Sequence, residues 1–157
     1  MLGSAPHVMA PLIVMLVGWI AFRLLGAAGM WTAASSWTTA LRFALAVMFV
    51  FTAASHFVPR TRGDLVRMVP PGLPNPELLV TITGLLELLG AAGLLMPATI
   101  KASAYALIAL LVALFPANVH AARRQLIVAG RRATPLVIRL PMQVFWIGAL
   151  WWVASAA

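Results

Sequence analysis

The sequence predicts an all-α fold, a bundle of transmembrane helices, and three observations carry that prediction. Of 157 residues, 63% are hydrophobic and only 9% charged, with a mean hydropathy of +1.01, far from the make-up of a water-soluble domain. The apolar residues fall in long runs, each near the roughly 20 residues needed to cross about 30 Å of hydrocarbon. The breaks between runs hold the prolines, glycines and arginines that end helices and sit at membrane surfaces. A chain this short cannot bury such runs in a core of its own, so a bilayer must bury them.

Five segments follow in order. Segment A runs from about Val8 to Ala28 and is closed by Gly29; B runs from Trp37 to Val58 and is closed by Pro59. Segment C, Glu77 to Met96, is preceded by the run VPPGLPNPE and followed by Pro97. Segment D, Thr99 to Ala121, contains Pro116, which is expected to kink it or end its regular part. Segment E, Pro135 to Ala154, opens on a proline. All five must be helices, because a backbone group left unpaired in lipid costs several kcal/mol and no strand partners are visible. Segment A is read as a retained helix. The alternative is a cleaved signal peptide, but MLGSAPH holds no Lys or Arg to form a basic n-region.

Charge orients the bundle. If five helices alternate in direction, Arg60, Arg62, Arg67, Arg123, Arg124, Arg131 and Arg132 fall on one side, and Arg23, Arg42 and Lys101 on the other. That asymmetry puts the N-terminus in the cytoplasm and the C-terminus outside a plasma membrane. Trp31, Trp37, Trp151 and Trp152 then gather at the outer interface. The net charge of +8 is read as a match for anionic lipid headgroups, with the arginines of ARRQLIVAGRR as topology determinants, and not for nucleic acid. With no cysteine, thiol relays, disulfides and thiolate metal sites are excluded. No metal site is expected, and no nucleotide-binding or hydrolase motif is present.

Glu87 lies ten residues into C, about 15 Å along its axis and close to mid-bilayer. A carboxylate there must point into the bundle and be paired or protonated. Thr83, Gly84, Gly90 and Ala91 surround it on one helix face, a small-residue stripe suited to close packing. The alanines of D (Ala102, Ala106, Ala109, Ala113 and Ala117) are expected to pack against it. Segment E carries Arg139 and Gln143 four residues apart, with Trp146 continuing that face, and Arg139 is the expected partner of Glu87. Thr52, Ser55 and His56 at the end of B, with Asn118 and His120 at the end of D, are expected to join them in one cluster in the cytoplasmic half.

The cluster has two readings. One is a pocket for a quinone or similar headgroup, in which His56 or Glu87 handles a proton and Arg139 polarises a carbonyl. The other is an ion-pair and amide network that sets helix register, the reading favoured for Asn118 and Gln143. His56 and His120 as haem ligands have no supporting feature, and interfacial hydrogen bonding accounts for both; His7 is read as inert. Asp64 and Arg67 are read as a surface helical pair. The proline-rich run, with Pro70 and Pro71, lays the connection on the membrane surface and sets the start of C.

The stretches FTAASHF, VPPGLPNPELLVTITGLLELLGAAGLLMP, ALFPANVHAARR and IRLPMQVFWIGALWW, in that order, resemble DoxX-type membrane proteins over about Leu41 to Trp152. The resemblance implies a four-helix membrane core formed by B to E. Residues 1–36 would then be an added N-terminal helix with its outer loop, and residues 37–157 the four-helix bundle. The family pattern falls on His56, Pro70, Pro71, Glu87, Asn118, Arg139 and Gln143. It also implies association with membrane redox complexes, without a catalytic role attached to any of these residues.

The function expected is therefore an accessory or scaffolding subunit of a redox-linked membrane complex, with another membrane protein as partner and self-association as a further option. The alternative is a quinone-linked oxidoreductase subunit, with quinone as the candidate cofactor. A transporter has little support from one central carboxylate and no inverted repeat.

Overall fold

The computed structural model describes residues 5–128 and 130–157, with side chains from Met9 onward apart from Arg131; His7 lies outside the described side chains. Among these residues the helices are α1 (Ala5–Ala27), α2 (Trp37–Phe57), α3 (Pro59–Met68), α4 (Pro76–Leu95), α5 (Ile100–Arg123) and α6 (Leu136–Ser155). The fold is all-α, and five spans are long and apolar enough to cross a membrane: Met9–Ala27, Trp37–Phe57, Pro76–Leu95, Pro97–Arg123 and Leu136–Ser155. They match segments A to E, with ends displaced by a residue or two. The chain is a multi-pass membrane protein whose wide outer faces meet lipid. Leu24, Leu89, Val112 and Val144 are each more than half exposed, as hydrocarbon solvent permits and water does not.

Local chemistry sets the helix ends. Ser36 caps α2, its hydroxyl accepting from the Thr39 N–H at 3.1 Å. Pro59 and Pro76 open α3 and α4, where a missing N–H costs nothing. Asn75, in the left-handed region at φ 48°, turns the chain into α4. The Pro70–Pro71 run forms a turn closed by Leu73 N–H donating to the Pro70 carbonyl at 3.0 Å. Pro116 does not end α5, which continues to Arg123.

Helix α2 is the hub, flanked by α1 and α4; α5 packs on α4, α6 on α5, and a smaller α6–α2 contact closes a ring of four. Partners across the two diagonals, α2 with α5 and α4 with α6, make no backbone contact. Helix α1 lies outside the ring against α2. The core holds Leu41, Leu45 and Met48 of α2, Leu94 of α4, Leu107 of α5, and Leu150 and Val153 of α6.

Glycines on α4 let its neighbours approach. Gly84 faces His56, Gly90 faces Leu107, and Gly93 faces Ser103. The predicted small-residue stripe on α4 thus packs, but four of the five alanines expected to face it do not. Ala102, Ala106, Ala109 and Ala113 point outward, while Ala104 and Leu107 turn inward. A notch gains most from a large side chain that fills it, which an alanine cannot do.

Aromatic rings tie α1 to the ring at one end. Trp19 donates its indole N–H to the Trp37 carbonyl at 2.8 Å and meets the Trp37 and Trp152 rings edge-on. Trp31 stacks on Phe43, and Trp151 meets Tyr105. At the opposite end the loops are more structured than the sequence suggests. Pro59–Met68 is a helix, and Ile127–Val128 pairs antiparallel with Arg131–Arg132 across a turn holding Gly130 at φ 77°. Arg67, paired with Asp64, also donates to the Ile127 carbonyl at 3.1 Å, joining α3 to this hairpin.

Candidate functional site

Glu87 lies near the middle of α4 and His56 in the last turn of α2; both side chains are at most 9% exposed. Because Cα–Cβ bonds tilt toward the helix N-terminus, Glu87 reaches back toward the start of α4. There the antiparallel α2 brings Thr52 and His56 to meet it. Thr52 donates to Glu87 Oε2 at 2.8 Å, and His56 Nε2 lies 3.6 Å from Glu87 Oε1. The other ring nitrogen, Nδ1, lies 2.8 Å from the Val80 carbonyl and 3.3 Å from the Thr83 hydroxyl. A carbonyl oxygen only accepts, so Nδ1 carries a hydrogen and the ring is held in that orientation.

The carboxylate therefore does not face lipid, as its depth requires. Its partner is His56 and not the expected Arg139. The ring arrangement explains the correction: α4 and α6 stand across a diagonal and make no backbone contact, whereas α2 and α4 share the most extensive interface in the bundle along with α1–α2. Arg139 instead donates through Nη1 to the Asn118 side-chain oxygen on adjacent α5. Gln143, one turn deeper, donates to the Leu111 carbonyl at 3.0 Å. That carbonyl lies next to Val112, whose usual helical donor is removed by Pro116. The expected single cluster is thus two networks, one between α2 and α4 and one between α5 and α6. His120, in the last turn of α5, belongs to neither.

Arg62 holds the first network from above and was invisible in the sequence except as one of seven loop arginines. Its guanidinium donates to the His56 carbonyl at 2.9 Å, the Glu77 carbonyl at 3.0 Å and the Thr81 hydroxyl at 2.9 Å. Thr61 donates to the Ser55 carbonyl at 2.8 Å. Helix α3 thereby caps the final carbonyls of α2, which have no partner within their own helix. Thr61 and Arg62 each lie six residues beyond the carbonyl they cap, a relation that only the fold of α3 reveals.

Among the described residues four buried donors have no protein acceptor: Nε of Arg23, Arg42 and Arg139, and Nε1 of Trp146. Among the described residues no carboxylate lies within ion-pair distance of Arg139; the acidic side chains pair as His56–Glu87 and Arg67–Asp64. A surface recess of about 480 Å³, lined by Val66, Asn75, Pro76, Glu77 and Leu78, sits beside the start of α4 and includes neither His56 nor Glu87. It follows the turn geometry before α4 and brings no convergent polar groups together.

The family described as "Domain of unknown function (DUF8561)" matches residues 45–154, from the middle of α2 to the last turn of α6. That span covers α4 and α5 whole, most of α2 and α6 and both polar networks, and leaves α1 outside. No curated protein and no solved structure matches the chain.

Proposed function

This chain belongs to the family described as a domain of unknown function (DUF8561), and we propose that it is an accessory or scaffolding subunit that docks another membrane protein within a redox-linked complex. The observation that carries this reading is the closure of the α2–α4 interior. Thr52, His56, Thr83 and Glu87 satisfy one another and the backbone, which rigidifies the ring and leaves its apolar outer faces for partners. The resemblance to DoxX-type proteins supports the redox link. The seven loop arginines support a plasma-membrane orientation with the N-terminus in the cytoplasm and the C-terminus outside.

Photo-crosslinking residues placed at Leu24, Val112 and Val144 in native membranes test docking. One face should yield a discrete protein adduct whose partner copurifies in stoichiometric amount in mild detergent. Lipid adducts at all three positions, with the chain recovered alone, would overturn it.

A second reading, a quinone-linked subunit, rests on Arg139. Its guanidinium keeps donors unspent beside Asn118, with no carboxylate to neutralise it, and a quinone carbonyl is an acceptor of suitable chemistry. Solvent extraction after gentle purification should then yield quinone from the native chain and none from Arg139→Ala. A quinone-free native preparation removes this reading.

A further inference from the structure

The α2–α4 contact fixes where hydrogens must be. His56 Nδ1 faces a carbonyl and is a donor, so in a neutral ring Nε2 presents a bare lone pair. Nε2 lies 3.6 Å from Glu87 Oε1. An ionised carboxylate would set lone pair against lone pair, next to a buried negative charge whose one hydrogen-bond donor among the described residues is the Thr52 hydroxyl. One hydrogen between Nε2 and Oε1 removes both problems.

We propose that His56 and Glu87 form a proton-binding dyad that holds one proton and no net charge inside the membrane bundle. Two arrangements meet this condition. In one the proton is on Nε2, an imidazolium beside a carboxylate; in the other it is on Oε1, a carboxylic acid donating to neutral imidazole. Interchange moves one H⁺ from Oε1 to Nε2 and changes no other bond. Loss of that proton to water leaves a single negative charge at the α2–α4 contact.

Among the described residues the surrounding elements supply no competing counter-ion. Arg62 of α3 donates to backbone carbonyls and Thr81, and Thr83 of α4 donates to the Leu79 carbonyl. Arg139 of α6 is engaged with Asn118 of α5. Glu77 lies in the first turn of α4, His120 and Arg123 in the last turn of α5, and none is within ion-pair distance of Glu87. Arg23 and Arg42 lie over Trp37 and Phe43 at the other end. The dyad stands whether or not the chain docks a partner or binds quinone.

The test uses the full chain in nanodiscs of zwitterionic lipid, with ¹⁵N-histidine and ¹³C-glutamate labels read by magnetic resonance. Glu77 and Glu87 are the only glutamates, and Glu87→Gln assigns the second. At pH 7 His56 Nδ1 should be protonated, with either a protonated Nε2 beside ionised Glu87 or a bare Nε2 beside protonated Glu87. A bare Nε2 beside ionised Glu87, or a bare Nδ1, overturns the proposal. On raising the pH, both labels should change in one step that releases one proton and is absent from Glu87→Gln. Two separate steps would also overturn it. These readings on the native chain stand even if the variant fails to fold.

Discussion

Gly84 of α4 lies so close to His56 of α2 that a β-carbon at position 84 would come within 2.6 Å of the His56 Cβ. This close approach of the His56 side chain to the α4 backbone is what allows the imidazole to reach both Val80 and Glu87.

Gly84→Ala should destabilise the bundle. An added methyl overpacks this contact at a cost of about 1–3 kcal/mol, against a gain of about 1 kcal/mol from alanine's helix propensity. Gly148→Ala, where nothing lies within 4 Å, should show only the gain. Thermal unfolding of the two variants in detergent compares them directly; equal midpoints would mean that α2 and α4 are not in this contact.

Thr52→Val keeps the shape of the side chain and removes the hydroxyl that donates to Glu87 at 2.8 Å. The expected loss is about 1 kcal/mol. Combined with Glu87→Gln, the two effects should fall short of or exceed their sum by a measurable coupling energy, as for groups in direct contact. Strict additivity would separate the two residues.

Arg62 bridges α2 and α4 through three hydrogen bonds from its two terminal nitrogens, a spread that a planar guanidinium covers and the single nitrogen of an ammonium does not. Arg62→Lys should therefore lose roughly 2 kcal/mol and expose the end of α2. Faster amide exchange over residues 53–57 is the expected signature, and unchanged exchange would show that the charge alone suffices.

Helix α1 rests on α2 with a β-carbon built at Gly18 only 3.5 Å from the Ala44 Cβ, at the short end of the range that disulfides span. The chain has no cysteine, so the double variant G18C/A44C should form one crosslink on mild oxidation, visible by mass spectrometry. Adding Trp19→Phe, which removes the bond to the Trp37 carbonyl, should slow that crosslinking. No crosslink in the double variant would place α1 elsewhere.

The helices were legible because each is a long apolar run ended by proline, glycine or arginine, and lipid leaves such a run no other structure. Glu87 could be assigned to the interior for the same reason, since depth alone decides the cost of facing acyl chains. Its partner could not be read. Arg139 has the better charge and geometry for a carboxylate, but choosing between it and His56 requires knowing which helices are neighbours. The α5 alanines misled similarly, because small residues permit close packing without saying which helix supplies the knob. Arg62 looked like a topology determinant, and only the fold of Pro59–Met68 brings it over the His56 carbonyl.

The sequence by itself determined the solvent, the five spans and the burial of Glu87, because hydrophobic length and the cost of an intramembrane charge depend on one helix at a time. The tertiary structure alone decided that His56 faces Glu87, that Arg139 faces Asn118, and that the polar residues form two networks. Those outcomes depend on the order of helices around the ring and on the notch at Gly84. Both are relations between helices, which the periodicity of any single one cannot express.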